Sequence, residues 1–130
     1  MELVYLTILL ALVEFLVMAA LVARARRKYG VKAPATTGNP DFERVNRVHY
    51  NTLEALIVFI PTVLLFARYI HPLWAGVLGA LFVIGRAVYA VGYYSAADKR
   101  GPGAGITGIV NLVLLAGALF GVIRALLYQP

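Results

Sequence analysis

Four stretches of this chain, Glu2 to Ala23, roughly Asn51 to Tyr69, Leu73 to Tyr94 and Gly105 to Leu127, are each near the twenty apolar residues that a helix needs to cross a bilayer. Hydrocarbon offers a peptide group no hydrogen-bonding partner, so a segment that crosses it must satisfy its backbone internally. Segments of this length do so as helices. The expected fold is therefore an all-α membrane protein, a four-transmembrane-helix bundle forming one domain over residues 1–130. With 62% hydrophobic and 14% charged residues, the chain lies outside the range of ordinary soluble domains, and almost nothing is left for one.

The first stretch begins with Glu2, lacks a positive leading region and is longer than the core of a secretory signal, so it reads as a retained span. The chain has no cysteine, which excludes disulfides, thiolate metal sites and a cysteine nucleophile. Two histidines, His49 and His71, are too few for a familiar zinc site, and no metal is expected. Any thiol chemistry must use a sulfur brought by the substrate.

Charge gives an orientation. Arg24, Arg26, Arg27, Lys28 and Lys32 crowd the first loop, Lys99 and Arg100 mark the third, and the second has only His71. By the positive-inside tendency, loops one and three are expected to be cytoplasmic and both termini to lie on the opposite side. Anionic headgroups then account for the net charge of +6, and no nucleic-acid partner is expected.

Against this background the segment from Asp41 to Glu54 is unusual, because it puts five charges next to an apolar run. At about 100° per residue, Arg44, Arg47, Asn51 and Glu54 share a sector of roughly 80°. Two guanidiniums, an amide and a carboxylate in one stripe form a receptor for a small zwitterion. His49 lies well away from that sector. Asp41, after the turn-forming linker from Val31 to Pro40, is the expected N-cap of the helix. Pro61 removes one backbone donor and favours a kink that shapes the bundle.

The third helix carries a second stripe. Arg86, Tyr89 and Tyr93 share about 60°, and Arg100 joins them if the helix continues past Ser95. In the fourth, Gly117 to Gly121 gives the small-xxx-small pattern of close helix packing, and Asn111 is suited to a bond across helices. Glu14 is an isolated carboxylate inside the first span. It fits either a proton carrier in a small transporter or a buried, paired carboxyl group.

The run Phe42-Glu43-Arg44-Val45-Asn46-Arg47-Val48-His49-Tyr50-Asn51-Thr52-Leu53-Glu54 resembles the second helix of the MAPEG family, the membrane-associated proteins in eicosanoid and glutathione metabolism. Gly85-Arg86, Tyr89, Gly92, Tyr93 and Arg100 are similar to its third helix. The resemblance covers the whole chain, and the compact form fits a bacterial member. It implies a homotrimer with glutathione, a co-substrate, bound between subunits near the cytoplasmic face. Arg47, Asn51 and Glu54 match helix-two positions that hold glutathione. Tyr89, Tyr93 and Arg26 match further contacts of the leukotriene-synthase branch. Arg100 matches the arginine to which the family assigns thiolate stabilisation, and Arg27 one proposed to assist proton transfer or the leaving group.

The implied activity is a glutathione transferase, a detoxification enzyme that joins the thiolate to a lipophilic electrophile, with glutathione peroxidase activity on lipid hydroperoxides as a further option. Two departures leave the lipophilic substrate open. Ala55 stands where the leukotriene-synthase branch has a tyrosine, and Ala19 replaces a small hydroxyl residue; His49 and Leu53-Glu54 are closer to the microsomal transferase and prostaglandin E synthase branch. Two other classes compete with the enzyme: a non-catalytic lipid-binding member of the same family, against which Arg100 and the intact stripe argue, and a small proton-coupled multidrug transporter, which would need no arginine-rich stripe.

Overall fold

The computed structural model describes residues 1–128, and among them there are helices and turns only. The chain runs α1 (Glu2–Tyr29), α2 (Pro40–Tyr69), α3 (Pro72–Ser95), a single 3-10 turn (Ala97–Arg100) and α4 (Gly101–Leu127). All four long helices are long and apolar enough to cross a membrane. α1 ends, and α2 begins, in a charged segment outside the apolar run.

Local chemistry sets the boundaries. α1 continues through the basic cluster, beyond the expected end at Ala23, and stops at Gly30. There the backbone turns left-handed at φ 69° and the Val31 amide returns to the Arg26 carbonyl at 3.1 Å. Only glycine takes such a φ without strain. The cap of α2 differs from the expectation at Asp41: Asn39 holds that position. Its side-chain oxygen accepts from the amides of Asp41 at 2.9 Å and Phe42 at 3.1 Å, and Pro40, which has no amide to satisfy, occupies the first helical position. Asp41 instead pairs with Arg44 one turn on, in the first turn where a carboxylate also suits the helix dipole.

α2 remains one helix through Pro61, and the neighbouring Thr62 hydroxyl donates back to the Val58 carbonyl at 2.6 Å. The polar stripe at the start of α2 is therefore helical throughout. Every pair of long helices packs closely except α1 with α4, so α2 and α3 form the middle of the bundle and the other two flank it. The main core joins Val4, Phe59, Val63, Phe82 and Leu114, with the rings of Phe59 and Phe82 stacked at 3.9 Å. Gly117 and Gly121 lie against Phe66 and Tyr69, where a Cβ would collide, as the small-residue pattern predicts.

Along the spans the outer surface carries large apolar side chains. Leu9, Leu16, Val91, Leu112 and Leu126 are more than half exposed. In water such a surface would be an aggregation hazard; in a bilayer it is the solvated surface.

Candidate functional site

Between α2, α3, the 3-10 turn and α4 lies a cavity of about 690 Å³. Its lining includes Arg47, Asn51 and Glu54 from α2, Arg86, Tyr89 and Tyr93 from α3, Arg100 from the turn, and Thr107 and Asn111 from α4. The two stripes seen in the sequence, apart from Arg44, thus face one space. Three guanidiniums and one carboxylate border it, and no ion pair among the described residues involves any of them.

The floor is fixed by hydrogen bonds. Arg86 is only 4% exposed. Its guanidinium donates to the Thr107 hydroxyl at 3.1 Å and the Thr52 hydroxyl at 2.9 Å, and lies 3.9 Å from the centre of the Tyr89 ring. Thr107 in turn donates to the Gly103 carbonyl at 3.1 Å. A buried cation is tolerable when neighbouring dipoles and an aromatic face replace its water. The Asn51 amide donates to the Tyr89 hydroxyl at 2.7 Å, and the Tyr89 and Tyr93 rings meet edge to face at 5.6 Å. On α4, Asn111 donates to the Ala55 carbonyl at 3.2 Å, the cross-helix bond for which it is suited.

Arg100 reaches this space by a different route from a continued helix. α3 ends at Ser95, and the following turn folds back so that the Arg100 guanidinium lies 5.6 Å from the centre of the Tyr93 ring. Glycine permits both close approaches: a Cβ on Gly92 would strike the Lys99 carbonyl, and one on Gly103 would strike the Tyr89 backbone. Arg47, Glu54 and Arg100 remain exposed around the opening, whereas Arg86 and its threonine partners are buried at the floor.

Other residues singled out from the sequence lie elsewhere. Arg26 donates to the Ala35 carbonyl at 2.6 Å and stacks over Phe42 at 4.9 Å, which closes the first loop onto α1. Arg27 is exposed in the last turn of α1. Neither borders the cavity of its own chain. Arg44 braces the start of α2 through Asp41 and takes no part in the cavity. His49 stacks on Phe15 at 4.5 Å, facing α1 as its helical position indicates. Glu14 borders a separate groove between α1 and α3, with one carboxylate oxygen buried and unpartnered among the described residues.

Arg86 has a larger part than the sequence reading gave it. It is the only charge in α3, and that isolation was the available signal. Thr52 and Thr107 carried none, because a threonine hydroxyl in an apolar run gives no sign of its partner until the helices are docked.

Fold and cavity together define a class: a multi-pass integral membrane protein whose helical bundle encloses a cation-rich polar cavity at one end. The family model of the MAPEG family matches residues 3–120, and the chain belongs to that family. It is 51% identical over 114 residues to an uncharacterized protein of Synechocystis sp., covering 88% of this chain and 83% of the relative. To the human microsomal glutathione S-transferase 2 it is 42% identical over 99 residues, covering 75% of this chain and 67% of that protein. The leukotriene C4 synthase of Cavia porcellus is 38% identical over 79 residues, covering 61% of this chain and 53% of that enzyme.

Proposed function

We propose that this protein is a membrane-embedded glutathione transferase that activates the glutathione thiol and joins it to a lipophilic electrophile. The observation that carries the reading is the convergence of Arg47, Asn51, Glu54, Tyr89, Tyr93 and Arg100 on one cavity. The names of its microsomal transferase relatives support the same chemistry.

Glutathione presents two carboxylates, one ammonium and one thiol. In this reading Arg47 takes a carboxylate, for which the planar guanidinium is suited to a bidentate pair. Glu54 takes the ammonium. The Asn51–Tyr89 bond holds the two stripes in register beneath the peptide, and Tyr93 supports Arg100 from its ring face. Arg100 stabilises the thiolate. A free thiol titrates near pH 8.5, so only a few per cent is ionised at neutrality. Lowering that value by about two units corresponds to about 2.7 kcal/mol of differential stabilisation and makes the thiolate the major form.

Arg26 and Arg27 enter the proposal through assembly. Both lie outside the cavity of their own chain, and a homotrimer in which a neighbouring copy supplies them is the arrangement we favour. Arg26 would then contact glutathione, while Arg27 would assist the leaving group or a proton transfer. With the basic first loop and the turn bearing Lys99 and Arg100 both on the cytoplasmic side, the cavity opens toward cytosolic glutathione. Lipid hydroperoxides are a second substrate class for the same thiolate, which would attack the terminal peroxide oxygen, break the O–O bond and release the lipid alcohol once protonated. A second glutathione would convert the resulting glutathione sulfenic acid to glutathione disulfide and water.

Titration of the purified protein with glutathione, followed by a panel of lipophilic electrophiles, tests the proposal. Binding with conjugation of at least one electrophile is expected. Absence of glutathione binding at millimolar concentration would contradict it.

A further inference from the structure

On the other side of α3 from the cavity, two smaller hollows of about 220 Å³ and 170 Å³ lie along α1. They share Leu21 and Tyr94 and so form one groove. The deeper part is lined by apolar side chains except for Glu14 on α1, and is bordered on α3 by Ala87 and Ala90, whose small side chains leave room for a guest. The shallower part is bordered by Arg24 and Lys28. Between the two stands Tyr94, whose hydroxyl is buried and has no hydrogen-bond partner among the described residues. An unsatisfied hydroxyl in an apolar setting is costly, and a bound group that accepts from it would remove the cost.

The order of chemistry along this groove is that of a membrane lipid. Two fixed cations stand at the end toward the first loop, a hydrogen-bond donor lies deeper, and a hydrocarbon trough follows. From the level of Arg24 to that of Leu21, beside Tyr94, is three residues of helix, or about 4.5 Å. That is near the separation between the phosphate of a glycerophospholipid and its ester carbonyls. We propose that the α1/α3 groove is a binding site for one anionic phospholipid. Its phosphate lies against Arg24 and Lys28, an ester carbonyl accepts from Tyr94 after a small rocking of the ring, and an acyl chain lies over Ala87. The site is separate from the glutathione cavity and does not depend on the reading of that cavity.

The test uses the full chain, stripped of lipid in detergent and mixed with equimolar dioleoyl phosphatidylglycerol and dioleoyl phosphatidylcholine, with retained lipid read by native mass spectrometry. The wild type is expected to retain phosphatidylglycerol over phosphatidylcholine by roughly tenfold or more, since each basic residue near a headgroup favours the anion several-fold. Replacing both Arg24→Gln and Lys28→Gln is expected to bring the ratio within about twofold. Tyr94→Phe removes a bond to an ester that both lipids carry, so retention of each falls about fivefold and the ratio is kept. Ala87→Phe fills the trough from its exposed side and lowers both. Ala87 lies outside the core, and if its variant misfolded, the charge and Tyr94 variants would decide alone. An unchanged ratio in the double charge variant would overturn the proposal, as would undiminished retention in Tyr94→Phe. Displacement of phosphatidylglycerol by an equal concentration of oleate would reassign the groove to a free carboxylate amphiphile and overturn the phospholipid assignment.

Discussion

Asn51 and Tyr89, on α2 and α3, are joined by a 2.7 Å bond from the amide to the phenol oxygen, and that bond ties together the two polar stripes of the molecule. The amide fixes the phenol as an acceptor and leaves the phenol proton free to donate into the cavity. Binding and architecture therefore share one contact at the level where glutathione is proposed to lie.

Tyr89→Phe removes the acceptor and leaves the Asn51 amide unpaired in a partly buried position. The expected result is about a fivefold weaker glutathione affinity, equivalent to roughly 1 kcal/mol, with the helical content retained. Isothermal titration with glutathione measures it. An affinity equal to wild type would show that the bond does not position the peptide.

Arg86 is held by two threonine hydroxyls, and each should matter to the fold. Thr52→Val and Thr107→Val keep the shape of the side chain but remove one acceptor from a buried guanidinium, at an expected cost of about 1–3 kcal/mol each. A lowered melting temperature in detergent checks this. The two substitutions should not add, because both act on one guanidinium.

Gly103→Ala places a methyl group against the Tyr89 backbone where α4 begins. The helices must separate or the turn carrying Arg100 must shift, and overpacking of this kind costs about 1–3 kcal/mol. Glutathione affinity is expected to fall together with the melting temperature. Gly105→Ala is the control, since a Cβ there meets nothing within 4 Å and the residue does not border the cavity.

Asn39→Ala tests the start of the stripe helix. Loss of the two cap bonds should lower stability by about 1 kcal/mol and leave the cavity intact. The corresponding Asp41→Ala variant keeps the cap and loses only the pair with Arg44, a surface interaction worth less.

What could be read from the sequence follows the strength of each physical signal. Four apolar runs of membrane length admit only a helical bundle, and a repeat of 3.6 residues is enough to bring Arg47, Asn51 and Glu54 to one face. The cap at Asn39 was displaced by two residues because Asp41 and Asn39 are both good caps, and only the chain path chooses between them. The route of Arg100 depended on a break at Ala96 followed by a turn that folds back over Gly92, a tertiary event with no periodic pattern. Thr52 and Thr107 were silent for the same reason: their partner, Arg86, is 34 residues from one and 21 from the other.

The claim that Arg100 activates a bound thiol is tested most directly by the near-ultraviolet thiolate absorbance of the glutathione complex as a function of pH, in wild type and in Arg100→Ala. A cation beside the thiol favours its ionised form, so the bound thiol should titrate about two units below the free value of about 8.5 in wild type and close to 8.5 in the variant. At pH 7 the thiolate band should then be strong in the first and nearly absent in the second, with glutathione affinity changed by no more than a few-fold. Coincident titration curves for the two proteins would contradict the account.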